Sequence, residues 1–183
     1  MALPEKFLVL LSKLSRACAH YEELTGRHAV IVGGAAAAIY TAGDISTGDI
    51  DVIAGNDTAF ARALQEEGFV TERRQARLLG GYYHPDLPAY GVEQVSGPLF
   101  DGRADPHRNL KVTVQGHGAL VLPSAEDMIA DRLAQHSVYA GSDEMLRQAL
   151  MIYRLADSID DAYLRRRVLE EGGDVALLDS TAR

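Results

Sequence analysis

A single cysteine in 183 residues excludes both a disulfide framework and a cysteine-rich metal site. That residue, Cys18, falls on an apolar helical stripe and reads as a small core side chain. A reducing, cytoplasmic compartment is the default expectation. No stretch approaches the roughly 18 uncharged residues that a membrane span needs. The apolar N-terminal segment is interrupted by Lys6, Lys13 and Arg16 and lacks a small-residue cleavage site, so it does not read as a signal peptide. Basic charge is also scarce: 18 Lys and Arg against 26 Asp and Glu give a formal net charge of -8. That sign disfavours an extended nucleic-acid groove built on nonspecific phosphate contacts, although a local basic patch can still meet a phosphate-bearing ligand. The six histidines follow no metal-binding spacing. Neither the P-loop pattern nor the spaced Gly-x-Gly-x-x-Gly fingerprint occurs, which removes the best support for ordinary NTPase and dinucleotide folds.

What is present is enough hydrophobic sequence, 47% of residues, for one globular core. Phe7, Leu10, Leu11, Leu14, Cys18 and Tyr21 recur at helical spacing from about Pro4. Ala29 to Val32 reads as a buried strand running into Gly33-Gly34, and Ala35 to Tyr40 as a helix stopped by Gly43. Asp49-Ile50-Asp51-Val52-Ile53 alternates acid and aliphatic residue, the period-two pattern of a strand apolar enough to be central. Thr58 to Glu67 predicts a helix closed by Gly68, and Phe69 to Thr71 a strand. Between Arg73 and Pro88 the pattern is weak, with Leu78-Leu79 and Tyr82-Tyr83 permitting a strand. Tyr90 to Val95 is a better strand, with Val92 and Gln94 on one face and Glu93 and Val95 on the other. Gly97 to Asn109 reads as a loop, and Lys111 to Val114 with Ala119 to Leu122 as a hairpin around Gly116-His117-Gly118.

From Ser124 the pattern turns to three helices. Ser124 and Asp127 predict a capping box, Leu146, Ala149, Leu150 and Tyr153 mark a second apolar stripe, and Asp160 caps a third helix that Gly172-Gly173 stop. The expected division is residues 1–123 as a core and 124–183 as a helical subregion packed on it within one structural domain. Arg165-Arg166-Arg167 reads as a solvated helix face, and Arg73, Arg74 and Arg77 as a small exposed basic cluster.

The chemistry resides in one ordered constellation: strand, double glycine, helix, then Thr47-Gly48-Asp49-Ile50-Asp51 opening a second strand. Carboxylates two residues apart on a strand point the same way, with α-carbons about 7 Å apart, and can converge on hard cations. Gly33 and Gly34 let backbone approach phosphate without an intervening side chain, and the following helix adds N-terminal amides. The bland alternative is an ordinary strand-helix turn with two turn or edge aspartates. A pair of carboxylates on a central strand nevertheless requires a metal or basic partner.

Val32-Gly33-Gly34 followed by Asp49-Ile50-Asp51-Val52 resembles the motif of the DNA polymerase beta-type nucleotidyltransferases, an apolar residue and Gly-Gly or Gly-Ser, then Asp-apolar-acid-apolar. The Thr-Gly-Asp-Ile-Asp lead-in is similar to tRNA nucleotidyltransferases and to bacterial toxin-type and abortive-infection-type members. The stretch Pro123 to Leu133 resembles the helix after the catalytic sheet in the abortive-infection branch, with Arg132 where that branch usually carries lysine. Asp143 is a weaker downstream match. The resemblance implies an α/β (α+β) nucleotidyltransferase fold, with a mixed central sheet flanked by helices. It further implies Asp49, Asp51 and Glu93 as catalytic and metal-binding carboxylates for Mg2+ or Mn2+. Gly33, Gly34, Thr47 and Arg132 become nucleotide-binding residues, with a nucleoside triphosphate as substrate. The acceptor stays open among a small molecule, a protein and a tRNA, and a toxin-type role brings an antitoxin partner. A catalytically silent module of the same fold, binding a nucleotide or protein, is the alternative.

Overall fold

The computed structural model describes residues 3–71, 81–114, 116–139 and 143–179. The Arg73, Arg74 and Arg77 cluster and the Leu78-Leu79 strand expectation lie outside them. The N-terminal helix α1 spans Glu5–Thr25 and buries the stripe from Phe7 to Tyr21, ending where Gly26 adopts φ 68°. Next come strand β1 (Val30–Val32), helix α2 (Gly33–Tyr40), strand β2 (Asp49–Ile53) and helix α3 (Asp57–Glu66). Asn56 caps α3 by accepting from the Ala59 N–H, which sets its start one residue earlier than the periodicity suggests. Short strands β3 (Val70–Thr71) and β4 (Gly81–Tyr83) precede β5 (Gly91–Val95), and β6 (Leu110–Val114) forms a hairpin with β7 (Gly118–Leu122). Helices α4 (Ala125–Val138), α5 (Asp143–Leu155), α6 (Asp161–Glu171) and the short α7 (Ala176–Asp179) follow. The sequence pattern predicts only the first three of these four.

One seven-stranded mixed sheet runs β3-β4-β5-β2-β1-β7-β6, so β2 is its middle strand. β1 pairs antiparallel with β2 and parallel with β7, while β2 pairs parallel with β5. The period-two pattern therefore sorts cleanly. Ile31, Ile50, Val52 and Val92 point to one side and join the main core with Leu10, Leu14 and Tyr21 of α1. Each such fully buried aliphatic or aromatic side chain contributes roughly 1.5–3 kcal/mol. α1 packs against α3 and β7, with the Tyr21 and Phe60 rings edge to face at 5.7 Å. The opposite face carries a small apolar patch of Val30, Val32 and Val121 with Ile53 and Leu99 beside it, and next to that patch the acidic positions. Cys18 is buried in the core, as its stripe predicts. Among the described residues no helix is long and apolar enough to cross a membrane.

Two expectations for the helical segment require correction. Ser124 does cap α4 by accepting from the Asp127 N–H. The Asp127 side chain, however, makes no reciprocal capping-box bond to backbone. It accepts from Ser124 Oγ (2.8 Å), from the Tyr163 hydroxyl (3.0 Å) and from Arg167 Nε (2.6 Å). Arg167 is accordingly not on a solvated face. It is fully buried, and it also donates to Glu170 and Glu171, whereas Arg165 and Arg166 are exposed as expected. Three consecutive helical residues span about 200°, so a run of arginines cannot all face water when Tyr163, Leu164 and Val168 face the core. Burial opposes the Arg167 charge, but the carboxylates around it prevail and hold its pKa above the ordinary guanidinium value. Asp160 and Gly172 bound α6 as predicted.

Candidate functional site

The acidic positions assemble because of strand register. Asp49 is opposite Gly91 and Asp51 is opposite Glu93 across the β2–β5 ladder, and in-register partners on adjacent strands share a face. Asp49, Asp51 and Glu93 therefore project from the same side, away from the main core. Burial raises the pKa of the Asp51 carboxyl above the ordinary aspartate value. Glu93 and Asp49 push it the same way and Arg132 pulls it back, so all four groups interact electrostatically. A cation would relieve that repulsion. Among the described residues, no group of three His, Cys, Asp or Glu side chains already stands ready-made around a metal. The donor set is all-oxygen, which is the chemistry Mg2+ and Mn2+ prefer.

The glycines explain themselves sterically. Gly33, the first residue of α2, has φ 65°, and a Cβ there would collide with the Asp51 carboxylate. Helix α2 thus begins on the double glycine itself rather than at Ala35. A Cβ at Gly34 would lie 3.1 Å from Thr47 Oγ1, and one at Gly91 would lie 2.7 Å from Asp49 Oδ1. Backbone and acids share space that any side chain would fill. Thr47 stands beside Gly34, and its hydroxyl donates to the Asp49 carbonyl (2.8 Å), bracing the entry into β2.

Arg132 reaches the same place from α4. Its side chain is 6% exposed. Nη1 donates to Gln135 Oε1 (3.2 Å), while Nε and Nη2 are buried with no hydrogen-bond partner among the described residues. Asp131 Oδ2 is 3.8 Å from Nε, too far to satisfy it. Arg132, with two buried guanidinium nitrogens lacking a hydrogen-bond partner among the described residues, lines a cavity of about 400 Å3 together with Gly33, Gly34 and Asp51, a setting that suits an anion with several oxygens. A second cavity, about 560 Å3, is lined by Asp49, Glu93, Gly91, Tyr83 and Tyr90. The acidic row therefore lies between two hollows. Asp143 opens α5 in an exposed position and does not line the cavity beside Gly33.

Several contributors escape sequence reasoning. Asp131 and Gln135 of α4 line the cavity with Arg132, and so does Phe100, from a segment that reads only as loop. Spacing along α4 could have flagged Gln135, three residues beyond Arg132, since positions three or four residues apart share a face. The clearing at Gly91 and Gly81 follows only from register, which no local pattern supplies.

Among the described residues the sheet order and flanking helices make a mixed α/β fold, and it matches that of a nucleotidyltransferase-like solved structure. The chain is similar over its full length to an antigenic nucleotidyltransferase-like protein from Paracoccidioides brasiliensis. That crystal structure aligns with a TM-score of 0.64 and 14% identity, covering 100% of this chain and 96% of the other. It is also similar to the solution structure of the antibiotic-resistance factor ANT(2'')-Ia, with a TM-score of 0.53 and 13% identity, covering 88% and 91% of the two chains. No protein-family model and no curated protein matches the sequence.

Proposed function

We propose that the protein is a metal-dependent nucleotidyltransferase that moves a nucleotidyl group from a nucleoside triphosphate to an acceptor hydroxyl, with pyrophosphate leaving. The observation that carries this reading is the in-register row of Asp49, Asp51 and Glu93 on the middle of the sheet, beside a double glycine with no room for side chains. The likeness in fold to a nucleotidyltransferase-like protein supports it. Asp49, Asp51 and Glu93 would hold Mg2+ or Mn2+, which when bound neutralises phosphate charge and polarises the bond to be broken. Gly33 and Gly34 expose backbone to the phosphates, Thr47 keeps that loop closed on β2, and the Arg132 guanidinium takes non-bridging oxygens. The acceptor oxygen bonds to the α-phosphorus as the α–β anhydride bond breaks. Glu93 is the candidate to receive the hydroxyl proton.

A small molecule is the acceptor we favour. The cavity on the Asp49 side has the dimensions of a small-molecule site, and the acidic balance of the chain disfavours a long nucleic-acid surface. One of the similar structures is an antibiotic-resistance factor, which fits a small acceptor. A toxin-type role with an antitoxin partner rests on the sequence resemblance alone. A silent nucleotide-binding module is the second reading, favoured by the way Asp49 and Glu93 line one hollow and Asp51 the other. Calorimetric titration with Mg2+ and each NTP, followed by pyrophosphate release over an acceptor panel, separates the two. Turnover in the wild type that falls by about three orders of magnitude in Asp49→Ala/Asp51→Ala supports the enzyme. Binding without turnover across the panel supports the silent module, and turnover indifferent to both substitutions refutes the assignment.

A further inference from the structure

The turn after β5 holds non-glycine backbone in a disfavoured region, with Phe100 at φ 46°, ψ 52° and Asp101 at φ 55°, ψ 25°. Left-handed conformations crowd a Cβ, and two in succession persist only when their surroundings enforce them. Arg103 does the enforcing. It donates from Nε to the Phe100 carbonyl (3.4 Å) and from Nη1 to the Glu170 carbonyl (2.6 Å). Its Nη2 pairs with Asp101 (2.9 Å) and Glu171 (3.0 Å), tying the turn to the end of α6.

What the turn carries is Phe100, a half-buried residue that packs against the edge of the main core and lines the cavity that also holds Gly33, Asp51 and Arg132. Along β2 the wall of that cavity passes from the acidic Asp51 to the aliphatic Ile53, for a reason built into the strands. β2 and β5 are parallel and in register, so the step from Asp51 to Ile53 is matched by the step from Glu93 to Val95. Each step is about 7 Å along the sheet and stays on the same face. Asp51, the double glycine and Arg132 line this hollow, and Ile53, Val95 and Phe100 border it as well, Ile53 and Val95 one step further along their strands than Asp51 and Glu93.

We propose that Phe100 is the platform on which the base of the bound nucleotide lies, with the polyphosphate at Gly33-Gly34 and Arg132. This rests on the nucleotidyltransferase reading and adds the direction of the nucleotide and a basis for its selection. An aromatic face recognises any base in proportion to stacking area, so purine triphosphates bind more tightly than pyrimidine ones. Arg103 is a positioning residue that acts through Phe100.

Calorimetric titration in saturating Mg2+ with inorganic tripolyphosphate, ATP and UTP, on wild type, Phe100→Leu, Phe100→Trp and Arg103→Gln, tests this, with melting curves confirming that each variant is folded. The wild type is expected to prefer ATP to tripolyphosphate, and to UTP, by about tenfold or more for the first pair. Phe100→Leu and Arg103→Gln should lose about tenfold in ATP affinity while holding tripolyphosphate unchanged, and Phe100→Trp should retain ATP. A Phe100→Leu protein that binds ATP like the wild type overturns the platform and leaves the nucleotidyltransferase reading intact. Equal weakening of ATP and tripolyphosphate overturns it too, because the ring would then only be holding the fold. A wild type that takes neither ATP nor tripolyphosphate overturns the platform and the underlying reading together.

Discussion

Replacing Arg167 by methionine should destabilise the protein more than any surface substitution, because it strands a buried charge. Arg167 and Asp127 are both fully buried, and Arg167 Nε donates to Asp127 Oδ1 at 2.6 Å. Methionine keeps the apolar stem but leaves the Asp127 carboxylate with only the Ser124 and Tyr163 hydroxyls. Breaking a buried pair from one side costs about 3–5 kcal/mol. At about 2–4 °C per kcal/mol for a chain of this size, the melting temperature should fall by roughly 6–20 °C. The companion Arg167→Met/Asp127→Asn removes the stranded charge and keeps a side chain able to bond both hydroxyls. It should recover about 2 kcal/mol or more of the loss. Urea unfolding followed by far-ultraviolet circular dichroism measures both. An Arg167→Met protein within about 1 kcal/mol of wild type, or a double variant no better than the single, would show that no buried charge is stranded at Asp127. The result bears on function, since the pair fastens α6 to the helix that carries Arg132.

Arg132→Met should cost less than about 1 kcal/mol of stability, since the lost cation has two unsatisfied buried donors, yet abolish NTP binding by calorimetry. Burial, together with Lys13 and Arg16, depresses the His84 pKa below its ordinary 6.5, against the opposing pull of Asp86. Its Nδ1 also accepts from the Asp86 N–H (3.2 Å), a bond lost on protonation. A depressed histidine contributes stability that is present above 6.5 and lost as pH falls through the lowered value. Melting temperatures from pH 7.5 down to 5 should therefore drop less steeply for His84→Gln than for wild type. Burial pushes the Cys18 thiol up to about 12, so a disulfide reagent at pH 8 should label it only after unfolding, at the unfolding rate.

The elements legible in the sequence are those written in local pattern. The α1 stripe, the alternation of β2 and the caps at Ser124 and Asp160 each need only a few neighbouring residues, and each is where the pattern predicts. The central position of β2 follows from its aliphatic alternate residues. What was illegible depends on partners distant in sequence. Asp127 looks like a capping residue and Arg167 like solvent-facing charge until a segment 40 residues away brings them together. The Glu93 register with Asp51 is a property of strand pairing, not of either strand alone. Phe100 is hidden by a loop-like composition because its exposure to the cavity comes from left-handed backbone that Arg103 enforces through α6.

Crystals grown with Mn2+ and a non-hydrolysable NTP analogue offer the most direct measurement, because anomalous scattering locates the metal independently of any assumed role. A manganese peak is expected within coordination distance of Asp49 and Asp51 oxygens, with the analogue's phosphates over Gly33-Gly34. A metal bound elsewhere on the molecule, or an analogue seated away from the acidic row of the sheet, would contradict it.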